Sequence, residues 1–506
     1  MVQAPGYFDK ITFGRYNSHQ TLGRMEGRRM QIGKQGKEGG ESYTKYALAA
    51  FLGMAVFVIV YKYALNQVGS QELNDIQEHA RYAQDIYLDR MWNAWRKIPY
   101  LLWHLCVKGS IKFLVMPPME AVAFVCGGFA LLNYFVMFFL ADRTVAGLNG
   151  RDGGILAAGA AGMLSLVQPM YMYWFNPYQY EGQFSINPIF NPTHTAVKPF
   201  GLLCFMLAAD LIRRYRGKEK LYFTGIGSDR VLYVLFSVCL LFSAFAKPTF
   251  MYMLLPAGAL YLLGDLAGAL WRGSGREGPW TEIKKHLPGK AFLSGRKAGM
   301  GSGQESVRAE SGGKHRAGQP EGKEKAQHRG EVREVWGFMW RIGCASIPAM
   351  LYLLLEYAAF YFLGGTDPDS HVAVYPFLTA WHSVSPSIPK SLVLSMAFPF
   401  WMCLTNWKYF WNSVEGKLCL LGYAVGTLEF CFFVETGSRL WHLNFAWCMM
   451  SGMLLIWVMA AARLVHITIA PGPGRWGRAE VAAGWMLLSL HFFSGLYYIS
   501  PYQYLI

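Results

Sequence analysis

Charged residues are scarce in this sequence of 506 amino acids. They make up 16% of the chain, whereas hydrophobic residues make up 53% and the mean hydropathy is +0.20. A soluble protein with a solvated surface has about 25% charged residues, so this composition excludes that class. The charges that are present collect between long apolar runs, as expected when spans of roughly 20 residues must cross a hydrocarbon layer of about 30 Å. We therefore predict an integral membrane protein that crosses the bilayer many times.

The sequence also lacks the motifs of metal sites and of many soluble enzymes. It has nine cysteines, mostly inside apolar runs, with no Cys-x-x-Cys pair and no His/Cys spacing suited to zinc. We find no Walker motif, no convincing Rossmann fingerprint, no His-Glu-x-x-His and no Ser-centred nucleophile elbow. These absences argue against a disulfide framework, a structural metal, a nucleotide-driven pump and a soluble-type hydrolase.

The apolar runs predict an all-α, polytopic bundle of about eleven transmembrane helices. The runs are 46–64, 119–141, 153–173, 194–212, 230–246, 249–271, 337–363, 391–405, 418–434, 443–462 and 482–499. The turn at Lys247-Pro248 separates two of them, although a single bent helix over 230–271 would be the alternative. With this count the chain begins in the cytosol and ends outside.

Basic residues set the predicted orientation. Most of the Lys and Arg residues behind the net charge of +15 lie in connectors on one side, which indicates topology rather than a nucleic-acid partner. By contrast, the outside connector 174–193 has no Lys or Arg. The first outside loop is the exception, because it contains six Lys or Arg residues. The predicted parts are a basic cytosolic tail at 1–45, a membrane module at 46–271, a disordered basic cytosolic loop at 272–336 and a second membrane module at 337–506.

The first outside loop, 65–118, is long and has helical patterns of its own. An apolar stripe at helical spacing consists of Ile76, Ala80, Ala83 and Tyr87. On the same stretch Asp75, His79 and Tyr82 are spaced i, i+4 and i+7, so their side chains project from a common face. The pattern predicts short helices in this loop.

The end of this loop reads Lys97-Ile-Pro-Tyr-Leu-Leu-Trp-His-Leu-Cys-Val. Pro99 favours the start of a further helix, and Trp103 suits the headgroup level of a bilayer. This helix is predicted to lie along the membrane surface.

These two stretches carry a family resemblance. An Asp-x-x-x-His-x-x-x-Ala pattern soon after the first span, followed by Pro-Tyr-x-x-Trp-His before the second, resembles the GT-C superfamily of membrane glycosyltransferases. The resemblance covers the first ~140 residues and the general architecture. It implies an enzyme, of hexosyltransferase type and inverting, that transfers a sugar from a polyprenyl-phosphate donor to a glycan, lipid or protein acceptor outside the membrane.

By position, the resemblance makes Asp75 the catalytic base and His79 a residue that orients it or contacts the donor phosphate. General-base catalysis suits an oriented carboxylate. The family's second acidic neighbour is missing, because Asn74 and Ile76 flank Asp75, and Glu78 is the nearest substitute. The alternative is a solvated Asp/His pair on an exposed helix, worth only ~0.3–0.5 kcal/mol.

A phosphate-bearing donor requires cations near the outer surface, and few are predicted there. Lys247 and Arg439 are candidates for the phosphate contact, with His442, Glu435 and His194 as neighbours of such a site. The alternatives are a lysine that anchors a span end, and an ion pair between Arg439 and Glu435, four residues apart. Asn191 or Thr193 is predicted to cap the helix that contains His194.

Two further features leave alternatives open. Asp367, Asp369 and His371 could bind a divalent cation, although Asp-Pro-Asp-Ser also forms an ordinary turn. Glu356 and Glu429 lie inside predicted spans and must face protein or a cavity. No other resident cofactor is expected.

Two rival functions share the predicted architecture. One is a transporter or flippase of lipid-linked saccharides, although the matching repeats of many transporters are not visible. The other is a membrane-embedded glycan polymerase, in which Arg439 would matter more than Asp75. The lack of eukaryotic retention signals favours the plasma membrane of a bacterium.

Overall fold

The computed structural model is 82% helical, and its long apolar helices confirm an integral, multi-pass helical membrane protein. It describes residues 18–70, 74–98, 100–146, 153–172, 174–175, 184–217, 223–273, 321–363, 369–378, 388–470 and 475–500. The helices of the first half are α1 (Ser18–Val68), α2 (Asp75–Gln84), α3 (Met91–Lys97), α4 (Leu101–Phe113), α5 (Pro118–Val145), α6 (Gly153–Leu164), α7 (Pro192–Tyr215), α8 (Asp229–Ala246) and α9 (Thr249–Gly273). Those of the second half are α10 (Glu321–Tyr357), α11 (Ile388–Thr405), α12 (Trp407–Asn412), α13 (Val414–Phe432), α14 (Ala446–Ile469) and α15 (Arg475–Ile499).

Within the described ranges, eight helices are long and apolar enough to cross a membrane. They lie on α1, α5, α7, α8, α9, α10, α14 and α15. The other three predicted spans fall on α6, α11 and α13. The exact count of eleven and the orientation therefore stay predictions, whereas the break at Lys247-Pro248 is confirmed because α8 and α9 are separate helices.

A small sheet adds to the all-helical prediction. The strands β1 (Val372–Val374) and β2 (Phe433–Glu435) pair antiparallel, with Val372 opposite Glu435. The run 418–434 was predicted to be helical to its end, but α13 ends at Phe432 and the chain then becomes extended. This strand places Glu435 at the end of the bundle where the first outside loop also lies.

The connection 69–117 contains three short α-helices, as predicted. Ile76, Ala80 and Ala83 are buried, but Tyr87 is 67% exposed because α2 ends before it. The side chain of Trp103 is completely buried in the protein, and its position at the headgroup level stays a prediction. Helix α4 therefore packs into the bundle through an aromatic face.

Polar contacts separate into two groups, one at each end of the bundle. At the end predicted to face the cytosol, Lys45 pairs with Asp142 at 2.9 Å, and Arg213 pairs with Glu415. At the opposite end, Asn191 contacts Asp75, and the backbone N–H of Tyr100 bonds to Glu356. These contacts join helix ends that the predicted topology places on the same side.

Helices α13 and α14 approach each other closely through glycines. A Cβ on Gly426 would lie 2.6 Å from the carbonyl oxygen of Cys448, and one on Gly452 would lie 2.7 Å from the Cα of Tyr423. Small residues at such crossings are typical of membrane helix pairs. Glu435 follows α13, and Trp447 lies at the start of α14. The close crossing therefore fixes these two residues relative to each other.

The predicted span 153–173 is only partly helical. Helix α6 has 12 residues, about 18 Å long, and the chain from 165 to 170 then continues as buried, non-helical backbone. The segment 184–191 packs beside it, and Asn187 donates to the carbonyl oxygens of Leu164 and Val167. Backbone of this kind is tolerated at membrane depth only when it is buried in protein.

One predicted boundary is wrong. Helix α10 begins at Glu321, so the last part of the loop predicted at 272–336 is helical. The rest of that loop, 274–320, lies outside the described residues, as does the tail before Ser18.

Candidate functional site

Asp75 lies in the first turn of α2, where it is half-buried. The preceding residue, Asn74, caps this helix by accepting a hydrogen bond from the N–H of Gln77 at 3.0 Å. The helix N-terminus carries partial positive charge, which stabilises a carboxylate. Asn191 also donates from its Nδ2 to Oδ2 of Asp75 at 3.2 Å. Both effects favour the ionised carboxylate.

Asn191 joins Asp75 to Lys247. Its Oδ1 accepts the N–H of His194 at 2.9 Å, which confirms the predicted cap of α7. The same Oδ1 accepts a hydrogen bond from Nζ of Lys247 at 3.4 Å. One amide thus contacts a carboxylate from the first loop and an ammonium from the α8–α9 connection.

The ammonium of Lys247 lies among aromatic rings, and the residue is only 2% exposed. Its Nζ lies 4.2 Å from the ring centre of Trp447 and 5.8 Å from that of Tyr100. Burial lowers the pKa of Lys247 to about 7, and the charge of Asp75 opposes this shift. At neutral pH the lysine therefore exchanges easily between its charged and neutral forms.

His194 and Lys198 extend the site along α7. His194 is completely buried next to Trp447, and neither ring nitrogen makes a hydrogen bond with the described residues. Lys198 is 2% exposed and donates to Oδ1 of Asn187 at 2.9 Å. This half of α7 therefore concentrates buried nitrogen groups, an arrangement that favours an anion.

His79 contacts a second histidine. Its Nδ1 lies 3.0 Å from Nε2 of His104, and Nδ1 of His104 lies 3.2 Å from the carbonyl oxygen of Tyr100. A carbonyl oxygen only accepts, so His104 must carry its proton on Nδ1, and His79 then donates from its own Nδ1. Burial lowers the pKa of His104 to about 4, so it is neutral at pH 7. The predicted contact of His79 with Asp75 or phosphate is therefore left to its Nε2.

Glu78, predicted as a substitute for the second acidic residue, points elsewhere. It is exposed, and its Oε1 accepts a hydrogen bond from the hydroxyl of Tyr82 at 2.6 Å. Because Tyr82 is one turn further along the same helix, this bond holds Glu78 along the helix surface. The structure thus brings Asp75 and Lys247 together and keeps Glu78 apart from them.

Arg439 forms the predicted ion pair with Glu435, with 3.1 Å between Nε and Oε2. Glu435 also accepts hydrogen bonds from Tyr361 at 2.6 Å and Asn444 at 2.5 Å. The guanidinium lies over the ring of Phe360 at 4.6 Å. The backbone of His442 ends the short 3₁₀ helix Gly437–His442, but its side chain lies outside the described residues.

A cavity connects the Arg439 group with the surroundings of Lys247. Its lining residues include Tyr100, Pro248, Glu356, Glu435 and Arg439. Its volume is about 80 Å³ for water-sized spheres. Asp75, Lys247 and Arg439 therefore lie in one region at one end of the bundle, with the Tyr100 ring between the last two.

Tyr100 has a left-handed backbone, with φ 64° and ψ 58°. Non-glycine residues rarely adopt this conformation, which persists where the surroundings hold it. Here the N–H of Tyr100 bonds to Oε1 of Glu356 at 2.9 Å, and its carbonyl oxygen holds His104. Glu356, predicted only to face protein or a cavity, thus fixes the turn that begins α4.

Sequence reasoning missed several of these residues. Lys198 lies within a predicted span, and an ionisable residue there is itself a sign of function. His104 belongs to the Trp-His motif but was given no role. Trp447 had no detectable signal, because its importance depends on the packing of α14 against Lys247.

The predicted divalent-cation group is only partly described. Asp367 lies outside the described residues, and His371 contacts the hydroxyl of Thr436 at 2.9 Å. In the part of the chain that the structure describes, no three His, Cys, Asp or Glu side chains come together as a metal site. The nine cysteines are all free thiols.

A comparison with protein-family models and with curated proteins finds no match to this chain.

Proposed function

We propose that this protein is a membrane glycosyltransferase that transfers a sugar from a polyprenyl-phosphate donor to an acceptor at the outer face of a bacterial plasma membrane. One observation carries the proposal. Asn191 holds the carboxylate of Asp75 and the buried ammonium of Lys247 in one site. A base beside a cation is the pair that this reaction requires.

In this mechanism Asp75 accepts the proton of the acceptor hydroxyl while the hydroxyl oxygen attacks the anomeric carbon. The bond between that carbon and the phosphate oxygen breaks, and its electron pair leaves with the polyprenyl phosphate. Attack from the face opposite the leaving group inverts the anomeric centre. The N-terminus of α2 and the amide of Asn191 favour the ionised Asp75 that such a base needs.

Lys247 stabilises the phosphate that leaves. Its burial beside Trp447 makes a charged ammonium costly until an anion arrives, so the donor phosphate favours the protonated lysine. His194 packs against the same Trp447 ring, and Lys198 lies one turn further along α7, so both supply further nitrogen groups.

Asp75→Asn tests the proposal because it keeps the size and hydrogen bonding of the side chain and removes the base. With a synthetic prenyl-phosphoryl sugar and its acceptor, we expect transfer to fall by at least 100-fold, as for loss of a general base. Glu78→Gln is the matched control, one turn away and exposed, and should retain near-normal transfer. Retained activity in Asp75→Asn would refute the assignment.

A transporter of lipid-linked saccharides is the second candidate. The short helix α6, followed by buried non-helical backbone at 165–170, is the kind of interrupted helix from which transporters build sites. Proteoliposomes separate the two functions. Movement of a fluorescent prenyl-phosphoryl sugar between leaflets that survives Asp75→Asn would favour the transporter, and acceptor-dependent release of prenyl phosphate would favour the transferase.

A further inference from the structure

The cavity beside Tyr100 contains polar groups that the fold itself does not use. Glu356 is 4% exposed, and both of its hydrogen bonds, from the N–H of Tyr100 and the hydroxyl of Tyr352, go to Oε1. Its Oε2 accepts none from the described residues, and Glu356 lines the cavity. Because the residue is otherwise buried, a carboxylate oxygen without a protein partner is a candidate for ligand binding.

Arg439 contributes a donor to the same space. Only its Nε donates to Glu435, and the two terminal nitrogens make no hydrogen bond with the described residues. The carboxylate of Glu435 is already occupied by Tyr361 and Asn444 as well, so it fixes the guanidinium instead of facing the ligand. The cavity therefore presents an acceptor from Glu356 and a fixed donor group from Arg439.

Aromatic rings form much of the remaining wall. Tyr252, Phe360 and Phe445 line the cavity, and the hydroxyl of Tyr252 makes no hydrogen bond with the described residues. The volume of about 80 Å³ compares with roughly 10–15 Å³ for one water by the same measure, so a small polar molecule fits. Apolar ring faces alternate here with groups that both donate and accept.

This combination selects among ligand classes. A phosphate would be repelled by Glu356 and Glu435, and a cation would be repelled by Arg439. A lipid chain would leave Oε2 of Glu356 and the guanidinium without partners. A neutral polyhydroxyl ring satisfies every group, because each hydroxyl donates to a carboxylate and accepts from a guanidinium, while its C–H faces pack on aromatic rings.

We propose that this cavity binds the neutral sugar ring of the donor, with Glu356, Arg439 and Tyr252 as the groups that contact its hydroxyls. The identification of the ring as the donor's rests on the proposed function. The cavity adjoins Lys247 through Pro248 and Tyr100, so a ring in the cavity and a phosphate at Lys247 are neighbours. Glu356 then sets sugar specificity, and Lys247 sets carrier recognition.

Binding of the two halves of the donor can be measured separately on the full-length chain in detergent. The probes are a panel of methyl glycosides of glucose, galactose, mannose, N-acetylglucosamine, rhamnose and arabinofuranose, and farnesyl phosphate without sugar. Saturation-transfer NMR reports glycoside binding, and calorimetry reports farnesyl phosphate binding. We expect at least one glycoside to bind the wild-type protein.

Glu356→Gln should weaken that glycoside at least tenfold, because the amide keeps one oxygen for Tyr100 but removes the charged acceptor. Tyr252→Phe, which deletes one hydroxyl, should weaken it a few-fold. Both variants should bind farnesyl phosphate as the wild type does. Glu429→Gln is the matched control, since Glu429 is a glutamate of α13 that does not line the cavity.

Lys247→Met should give the opposite pattern, losing farnesyl phosphate and keeping the glycoside. If Lys247→Met still binds farnesyl phosphate, this result counts against the proposed phosphate site. The assignment of the sugar cavity is not affected by it. The cavity assignment is overturned if no glycoside of the panel binds, or if binding in a monodisperse Glu356→Gln protein equals that of the wild type.

Discussion

The two ends of the helix bundle treat their buried charges differently. At the end predicted to face the cytosol, a carboxylate faces each of three arginines, in the pairs Arg213–Glu415, Arg214–Asp229 and Arg216–Asp265. At the opposite end, the buried Lys198 and Lys247 bond to amide oxygens of asparagine, and the structure shows no salt bridge to either lysine within the described residues. The first end pairs its charges directly, whereas the second combines the ion pair Arg439–Glu435 with two buried lysines that are held by neutral amides.

This difference separates charges that hold the fold from charges that await a ligand. A buried ion pair is strongly destabilised when one partner is removed, because the other charge is left alone. A buried lysine without a direct ion pair is close to that condition, and its presence costs stability unless an anion binds. We therefore expect substitutions at the two ends to have opposite effects on stability and function.

The largest expected effect is at the first end. Arg213→Met should lower the free energy of unfolding by about 3–5 kcal/mol, because Glu415 is 1% exposed and would lose its cationic partner. Denaturant titration in detergent micelles measures this loss. Arg214→Met is the control, since its partner Asp229 is 59% exposed and the pair should be worth less than about 1 kcal/mol.

A second substitution checks the cause of that loss. Arg213→Met combined with Glu415→Leu removes both charges and should regain most of the stability. If the double variant stays as unstable as Arg213→Met, packing and not charge holds this end together, and the comparison of the two ends fails.

The next effect concerns His104, a buried group of the second end whose hydrogen bonds are complete. Its pKa of about 4 is below that of an unfolded histidine, so the unfolded chain binds more protons between these values. Stability should therefore fall by about 3 kcal/mol as the pH drops from 7 to 4. His104→Gln, which does not titrate, should lack this part of the acid loss. Equal acid sensitivity in both proteins would contradict the lowered pKa of His104 in the folded protein.

The contrast between the ends was only partly predictable from sequence. Apolar runs and basic connectors predicted a polytopic bundle with the charges at its ends, because span length and charge placement are properties of the chain itself. The helix of Asp75 and the cap at Asn191 were also predicted, since periodicity and capping are local.

Contacts between distant segments could not be predicted in this way. Asp75 and Asn191 are separated by 116 residues, and Tyr100 and Glu356 by 256. No local pattern encodes which spans become neighbours. The strand at Phe433–Glu435 was missed for the same reason, because an apolar run shows its tertiary pairing only once its partner Val372–Val374 is placed.

Lys247 gives the third effect, with the opposite dependence on pH. Its pKa of about 7 lies below that of an unfolded lysine, so the unfolded state binds more protons above pH 7 and stability should rise with pH. Between pH 7 and pH 8.5 the contribution is about 1–2 kcal/mol. The rise should be smaller by this amount in Lys247→Met. If both proteins gain equally, Lys247 is charged through this range and the second end contains a counter-charge.

The smallest expected effect on stability is at Asn191, whose side chain both caps α7 and contacts Asp75 and Lys247. Asn191→Ser keeps a capping oxygen for the N–H of His194 but is too short to bridge Asp75 and Lys247. Unfolding should change by less than about 1 kcal/mol, because serine and asparagine cap helices about equally well. Transfer should nevertheless fall at least tenfold, since a base without its fixed position loses the benefit of orientation. Measured together, stability and transfer decide whether Asn191 serves the helix or the site. A parallel loss of both would make it a cap alone, and the second end would then need another residue to hold its carboxylate beside its cation.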